Sequence, residues 1–113
     1  MIKVIWFLKR ADHLSLDEFR SWWLDRHAPD IVAAKGSHLA RYVVNIRHAD
    51  DDYPGKPASP CDWDGCAELW FETEADFRAA SPDASASPTR ADTLRHVSRL
   101  ERLVVHEHEI PLR

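Results

Sequence analysis

The sequence predicts an α+β fold in which strands and helices follow the order β-α-β-β-α-β. Four segments rich in β-branched and aromatic residues have the composition of strands. Helix-start patterns at Ser15, Thr73 and Ser87 lie between them. The chain has 113 residues, of which 44% are hydrophobic, enough for one modest core. We therefore expect a single domain over residues 1–113.

The first half of the chain is predicted to form a strand, a helix and a second strand. Residues 2–9, IKVIWFLK, form the first strand. The motif SLDE at 15–18 matches a capping box and starts the helix. That helix runs to about His27, because Pro29 disfavours helical backbone at the preceding residue and should kink or end it. Residues 39–47, LARYVVNIR, form the second strand.

A long loop separates the second predicted strand from the third. It covers residues 48–64 and contains three prolines and a glycine. Loops of this length often serve as lids or binding loops. Residues 66–72, CAELWFE, form the third strand, and residues 74–80 form a short helix that begins after Thr73. The stretch SPDASAS that follows is expected to be a flexible turn.

The chain is predicted to close with one more helix and one more strand. Ser87 caps the helix, and Pro88 occupies its first position. Its apolar side consists of Leu94, Val97 and Leu100. Residues 103–110, LVVHEHEI, form the fourth strand.

Apolar side chains on both faces of the sheet predict a homodimer. The order of elements is that of the ferredoxin-like fold, a four-stranded antiparallel sheet with its helices on one face. In the first strand Val4, Trp6 and Leu8 point to one face, whereas Ile5 and Phe7 point to the other. Two or three short helices cannot cover both faces. We therefore expect a second copy of the chain to pack, sheet against sheet, on the open face.

Composition and charge disfavour several classes of partner. The formal net charge is −4 and the basic residues are scattered, unlike the basic patch of a nucleic-acid-binding protein. The first segment, MIKVIWFLKR, is too short to span a membrane and too charged at its end for a secretory signal. We therefore expect a cytoplasmic protein without nucleic-acid or membrane partners, in which Cys61 and Cys66 are reduced thiols.

No metal or cofactor is expected from the sequence. His106 and His108 alternate on the predicted last strand, a spacing that can bind a metal, but no third ligand lies nearby in the sequence. The sequence also lacks a glycine-rich phosphate loop, a nucleophile elbow and the spacing of a zinc site.

One face of the first helix carries the principal candidate for chemistry. Helical spacing places five residues on this face: Phe19, Trp22, Trp23, Arg26 and His27. In one interpretation His27 merely satisfies its hydrogen bonds near the helix end. In the other it is a general base, because an imidazole with a reference pKa of about 6.5 suits removal of a proton next to a carbonyl.

Two segments of the sequence resemble the EthD family of the dimeric α+β-barrel superfamily. They are LSLDEFRSWWLDRHAPDI followed by ARYVVN, and DGCAELWFETEADFRAA. The first carries aromatic residues followed by His-Ala-Pro, here Phe19, Trp22 or Trp23, His27, Ala28 and Pro29. The resemblance extends over residues 2–110. It implies a dimeric barrel with a ligand cavity between the sheet and the helices.

The resemblance also implies acid/base roles for His27 and Tyr42. Related lactone isomerases are similar in having a histidine in this helix and a tyrosine on the second strand. Those isomerases carry a cysteine on the third strand, where this sequence has Leu69. The resemblance therefore does not extend to chemistry with a thiol at that position.

Tyr42 and Asn45 are the two candidates for holding an enolate oxygen by a hydrogen bond. They lie three residues apart on one strand and face opposite ways, so at most one shares a pocket with His27. The alternation of Tyr42, Val44 and Ile46 favours Tyr42, because it indicates the buried side. Alternatively, Tyr42 is a packing residue whose hydroxyl reaches solvent.

Four tryptophans and one arginine are candidates for contacts with a substrate: Trp6, Trp22, Trp23, Trp70 and Arg26. The indoles either line an apolar pocket or belong to the core, and in a cleft one residue can do both. Arg26 either binds a substrate carboxylate or forms an ion pair with Asp30 one turn later.

Three functions are compatible with these residues. The first is a cofactor-independent isomerase, cyclase or lyase that acts on a small apolar carbonyl, lactone or polyketide-like compound, with His27 as acid/base. The second is a non-catalytic protein that binds a hydrophobic ligand in a degradation pathway. The third is a monooxygenase, since the superfamily also includes cofactor-free monooxygenases and haem-degrading enzymes. Fold alone does not decide among them.

Overall fold

The computed structural model describes residues 1–49, 54–55, 61–81 and 87–113. The strands are β1 (Ile2–Arg10), β2 (Arg41–Ile46), β3 (Gly65–Phe71) and β4 (Val97–Val105). The helices are α1 (Leu16–Trp22), α2 (Ala28–Lys35), α3 (Glu74–Ala80) and α4 (Arg90–His96). A π turn (Trp23–His27) joins α1 to α2, and a 3₁₀ turn (Gly36–His38) follows α2. Within these ranges no helix is long and apolar enough to cross a membrane.

The four strands form one antiparallel sheet in the order β2-β3-β1-β4. The central strand β1 pairs with β3 on one side, from Ile2↔Phe71 to Leu8↔Gly65, and with β4 on the other. The strand β2 pairs with β3 at the edge, from Arg41↔Trp70 to Ile46↔Gly65. This is the strand order of the ferredoxin-like fold, so the predicted fold class is confirmed.

The core lies between the helices and one face of the sheet. Val4 and Leu8 on β1 and Phe71 on β3 are each 2% exposed and point towards the helices. Phe19 and Trp23 pack on them from the helical side and are fully buried. Alternate residues of the same strands point to the opposite face, which no described helix covers.

Two of the three predicted helix starts form as expected. In α1 the Ser15 hydroxyl accepts from the Glu18 amide at 3.1 Å, and the Glu18 carboxylate accepts from the Ser15 amide at 2.9 Å. In α3 the Thr73 hydroxyl accepts from the Asp76 amide at 3.1 Å. These short-range bonds satisfy amides that have no partner in the first helical turn. They explain why the starts of both helices follow from the sequence.

The third predicted helix start was wrong. The helix α4 begins at Arg90, not at Pro88, and its N-cap residue is Thr89 instead of Ser87. Thr89 makes no side-chain capping hydrogen bond.

The first helical region does not end near His27, contrary to the expectation from Pro29. The chain widens into the π turn, where the Ala28 amide donates to the Trp23 carbonyl, and continues as α2 to Lys35. Pro29 is the second residue of α2, directly after the π turn, and the backbone before it stays helical. The wide turn therefore accommodates the proline, and such turns are frequent at functional sites.

The end of the chain also differs from the expectation. The helix α4 stops at His96, and Val97 and Leu100 belong to β4 instead of the helix. Their three-residue spacing fits a helix, but pairing along β1, from Lys3↔Val105 to Arg10↔Val97, makes an extended backbone more favourable. The predicted strand 103–110 is therefore displaced towards the N-terminus, and His106 and His108 lie beyond β4.

Parts of two predicted segments lie outside the described residues. They are residues 50–53 and 56–60 of the predicted loop 48–64, and residues 82–86 of the predicted turn. The last residue before β3, Asp64, is described: it is 3% exposed, its carboxylate accepts from the Arg10 amide at 2.8 Å, and its carbonyl accepts from the Arg47 amide at 2.8 Å. These bonds attach the start of β3 to β1 and β2.

Replacement of Gly65 by alanine should destabilise the protein. A Cβ at this position would lie 2.1 Å from the Asn45 carbonyl oxygen and 2.9 Å from Trp23 Cζ3. Both the edge strand and the indole would have to move, so we expect a loss of about 1–3 kcal/mol in the free energy of unfolding, measured with urea. The control is Gly36→Ala, whose Cβ would meet only Val32 Cγ1 at 3.5 Å. Equal stabilities of the two variants would contradict this close packing.

Candidate functional site

A cavity of about 280 Å³ lies between the sheet and the helices. Its floor is formed by apolar side chains of the sheet: Val4, Trp6, Leu8, Ala67, Leu69 and Phe71. The helical side contributes Trp23 and His27 from the π turn and Ile31 from α2. Its volume lies near the lower end of the range of small-molecule pockets.

His27 lines this cavity from the last position of the π turn. Its Nδ1 is 3.5 Å from the Thr93 hydroxyl, a long contact. The Thr93 hydroxyl itself donates to the Thr89 carbonyl at 2.8 Å, so towards His27 it can only accept. This arrangement favours the tautomer with its proton on Nδ1. The lone pair of Nε2 is then free, because Nε2 makes no hydrogen bond with a described residue.

The ring of His27 is held by Trp22. Its centroid lies 4.7 Å from that of the Trp22 indole, and the planes are inclined by 25°. His96 of α4 stacks on the same indole, with 4.5 Å between the ring centroids and 7° between the ring planes. The Trp22 indole N–H donates to the Asp92 carboxylate at 2.9 Å. Trp22 thus connects the π turn to α4 and positions the His27 imidazole.

Burial lowers the pKa of His27 below its ordinary value of 6.5, because the cation loses hydration. The carboxylates of Asp92 and Asp30 oppose this effect, whereas His96 and Lys35 add to it. The imidazole is therefore neutral near pH 7. Neutral imidazole with a free ring nitrogen is the form that accepts a proton.

Tyr42 lines the same cavity from β2. Burial raises the pKa of Tyr42 to about 12, so its hydroxyl keeps its proton at neutral pH and can donate a hydrogen bond. The indole N–H of Trp23 offsets part of this rise, because a nearby donor stabilises the phenolate. Nevertheless, Trp23 Nε1 makes no hydrogen bond of good geometry with a described residue.

The charged side chains of the described cavity wall are all cationic. They are Lys35, Arg90 and Arg102, and no carboxylate is among the described lining residues. The Lys35 ammonium donates to the Ala80 carbonyl at 2.6 Å, and burial lowers its pKa. The Arg102 guanidinium lies 5.8 Å from the Trp6 ring centre. The electrostatic potential of these cations therefore favours a ligand oxygen that carries or acquires negative charge.

The structure brings four of the predicted site residues together and leaves three elsewhere. His27, Tyr42, Trp6 and Trp23 line the cavity, whereas Trp22, Arg26 and Trp70 are not among its lining residues.

Arg26 and Trp70 have other contacts. The Arg26 side chain is 64% exposed, and its Nε lies 3.6 Å from the carboxylate of Asp92, not that of Asp30. Trp70 lies on the opposite face of the sheet, where Lys3 and Arg41 stack on its ring at 4.6 and 4.7 Å. Neither side chain reaches the cavity that contains His27.

Sequence reasoning missed Lys35, Thr93 and Arg102. Lys35 lies eight residues after His27, which places both on one helical face, but this signal was lost when the helix was expected to end near Pro29. Thr93 and Arg102 reach the cavity through α4 and β4, and no local pattern reports these long-range contacts. Among the described residues no group of three His, Cys, Asp or Glu side chains is arranged to hold a metal ion.

Several solved structures share this fold, and three of them are compared with this chain below. A protein of the ethyl tert-butyl ether D (EthD) family from Bacillus halodurans C-125 superposes with a TM-score of 0.69 and 16% identity, covering 96% of this chain and 99% of that one. The cofactor-independent oxygenase SnoaB from Streptomyces nogalater superposes with a TM-score of 0.59 and 18% identity, covering 96% of this chain and 94% of that one. A dimeric ferredoxin-like protein of unknown function from Thermobifida fusca YX superposes with a TM-score of 0.60 and 14% identity, covering 92% of this chain and 88% of that one.

The sequence itself carries the family relationship. No curated protein sequence matches this chain. A sequence model of the EthD domain, however, matches residues 11–98, which include the capping box of α1, the π turn, β2, β3 and α4. Since this match spans well over half of the chain, the protein belongs to the EthD family.

Proposed function

We propose that this protein is a cofactor-independent enzyme that transfers a proton on a small apolar carbonyl, lactone or polyketide-like compound, as an isomerase, cyclase or lyase. One observation carries the proposal: a neutral histidine with a free Nε2 and a protonated tyrosine line one apolar cavity. His27 is the general acid/base and Tyr42 the hydrogen-bond donor. Trp6 and Trp23 contact the substrate, which is held by burial of its apolar surface.

The proposed reaction starts with removal of a proton from the carbon next to the carbonyl. Nε2 of His27 takes this proton, and the electron pair of the broken C–H bond moves through the new C=C bond to the carbonyl oxygen. The Tyr42 hydroxyl donates a hydrogen bond to the enolate oxygen as its charge develops. In an isomerase that acts on a β,γ-unsaturated carbonyl compound the enolate is a dienolate. The imidazolium returns the proton to its γ-carbon, which moves the C=C bond next to the carbonyl and restores the neutral histidine and the C=O bond.

The cavity limits the size and polarity of the substrate. A volume of about 280 Å³ suits a compound with one or two rings. The apolar floor favours hydrocarbon, and the cationic side chains favour an oxygen at which negative charge develops. An apolar bicyclic ketone such as 2-tetralone has both properties and an acidic C–H bond next to its carbonyl, and is therefore a suitable probe.

His27→Gln should abolish most of the proton transfer on this probe. Wild-type protein in D₂O should incorporate deuterium next to the carbonyl of 2-tetralone, measured by mass spectrometry above the uncatalysed background. Loss of a positioned general base should reduce the catalysed rate by about 10²- to 10⁴-fold. The control is His96→Gln, because His96 stacks on the same indole but does not line the cavity. Equal rates for wild type and His27→Gln would refute the assigned role.

The rate of deuterium incorporation should also depend on pH in a defined direction. Protonation removes the lone pair of Nε2, so the rate falls as the pH drops through the pKa of His27. Because burial lowers this pKa, the midpoint of the acid limb should lie below 6.5. Asp92→Asn removes a negative charge that raises the pKa, and should move the midpoint further down. A midpoint above 6.5, or an upward shift in Asp92→Asn, would be inconsistent with a buried base.

Deuterium incorporation into 2-tetralone also separates the proposed activity from two other candidate functions that this cavity supports. SnoaB, which shares the fold, is a cofactor-independent oxygenase. An oxygenase would consume dissolved O₂, and its conversion would stop in a deoxygenated solution, whereas deuterium exchange would continue. A non-catalytic binding protein would bind 2-tetralone without exchange in either wild type or His27→Gln.

We also propose that two copies of the chain form a homodimer through the open face of the sheet. The register places Ile5 of β1 beside Leu103 of β4 on this face, with Val43 on β2 nearby in the same row of the sheet. Leu103 is 51% exposed in the isolated chain. A structural neighbour from Thermobifida fusca is itself dimeric, which supports the proposal. Burial of this apolar surface would favour association.

Leu103→Lys should convert the dimer to a monomer. The substitution replaces an apolar side chain of the proposed interface with a charged one, which would lose hydration if the interface formed. The measurement is the molar mass by light scattering after size-exclusion chromatography. The control is Val32→Lys, because Val32 is 53% exposed on α2, on the other side of the molecule, and does not line the cavity. A wild-type monomer, or a Leu103→Lys dimer, would contradict the proposed interface.

A further inference from the structure

We infer that the ligand of this cavity carries a carboxylate in addition to its carbonyl oxygen, and that the Arg102 guanidinium binds this carboxylate. Lys35 and Arg90 add positive charge to the same cavity wall. The inference rests on the proposed function in taking this cavity as the ligand site. It goes further by naming the substrate class, an apolar carbonyl compound with an anionic group at the end away from Tyr42.

The first argument is that the cations of the cavity wall have no acidic partner. Lys35, Arg90 and Arg102 come from three different elements, α2, α4 and β4, and line one cavity. Within the described residues none of them forms an ion pair with a carboxylate. Ion pairs are common elsewhere in the described chain, at Lys3, Lys9, Arg10, Arg26, Arg47, Arg78, Arg95 and Arg99. The chain has 19 Asp and Glu against 15 Lys and Arg, so a shortage of carboxylates does not explain the difference.

The second argument is the setting of Arg102. Its guanidinium carbon lies 5.8 Å from the ring centre of Trp6 and 5.9 Å from that of Phe77, and both rings line the cavity. Aromatic rings attract a cation, but they do not take up its five N–H donors. No described residue accepts a hydrogen bond from this side chain, which is exposed and therefore accessible to a ligand. A planar guanidinium with these donors matches the two oxygens of a carboxylate.

The third argument is the position of Arg102 relative to Tyr42. Both line the cavity from the sheet, but they come from its opposite edges, since β2 and β4 are the outer strands. Neighbouring strands lie about 4.8 Å apart, so three such steps separate the two backbones by about 14 Å. The cavity therefore extends from a hydrogen-bond donor to a cation. A ligand that reaches both has its carbonyl oxygen and its anionic group at opposite ends.

The environment of Lys35 supports the same conclusion. Its ammonium donates to the Ala80 carbonyl at 2.6 Å, which takes up one of its three N–H groups. Burial disfavours the charged form and lowers the pKa of Lys35, because no carboxylate compensates for the lost hydration. An anion in the cavity would stabilise this cation. A carboxylate therefore fits the wall better than a neutral group would.

The test compares a carboxylic acid with its own methyl ester. The acid is 6-carboxy-2-tetralone, in which the carboxylate lies on the ring without the carbonyl, and the ester has a similar shape without the charge. We expect wild type to bind the acid about tenfold more tightly than the ester, measured by titration calorimetry. In Arg102→Gln the Kd of the acid should rise about fivefold, whereas the Kd of the ester should change little. The control is Arg78→Gln, which removes an equal charge from α3, outside the cavity wall.

Ionic strength provides a second measurement that needs no substitution. Salt screens the attraction between charges that are in contact with solvent. Added sodium chloride should therefore weaken binding of the acid to wild type and leave binding of the ester unchanged. If Arg102→Gln does not fold, Arg90→Gln removes another cation of the same wall and should weaken binding of the acid selectively.

Several outcomes would overturn the inference. They are equal affinities of wild type for the acid and the ester, equal changes of both Kd values in Arg102→Gln, and no binding of the acid to wild type. Deuterium incorporation next to the carbonyl tests the proposed enzyme separately. Selective binding of the acid without exchange would refute the enzyme activity and leave the anion site standing. Exchange of 2-tetralone that depends on His27, without a preference for the acid, would refute the anion site alone.

Discussion

The close packing of Trp23 against Gly65 is the contact on which the site depends. It places the helical region directly on the edge of the sheet, where only a residue without a side chain leaves room for the indole. Phe19 closes the other side of the ring, and both aromatic residues are fully buried. This contact also holds the Trp23 indole close to Tyr42, where its N–H acts on the Tyr42 hydroxyl.

The π turn carries two residues of the site. It begins at Trp23, which is fully buried, and ends at His27, which lines the cavity. The His27 ring is stacked on Trp22. Trp22 in turn is fixed by Asp92 and His96 of α4. The position of the proposed base therefore depends on a helix that lies about 65 residues later in the sequence.

These dependencies explain how far the sequence could predict the structure. The starts of α1 and α3 followed from hydrogen bonds over three residues, at Ser15 and Thr73. The order of elements along the chain followed from the composition of the strand segments and from the helix-start patterns. The boundary between α4 and β4 did not, because Val97 and Leu100 fit a helical spacing as well as a strand, and only pairing with β1 decides between them. His27 was a candidate from its place on the helix face, and the resemblance implied acid/base roles for His27 and Tyr42, whereas Thr93 became visible only when α4 was placed.

In the proposed complex the cavity holds an apolar compound with its oxygen at the Tyr42 hydroxyl and its reactive carbon at His27. The most direct measurement is a crystal structure with 2-naphthol, a stable mimic of the enol of 2-tetralone. We predict its rings on the apolar floor, its hydroxyl oxygen within hydrogen-bond distance of Tyr42 Oη, and its adjacent ring carbon next to His27 Nε2. An empty cavity, or an oxygen turned towards Arg90 and Arg102, would contradict this account.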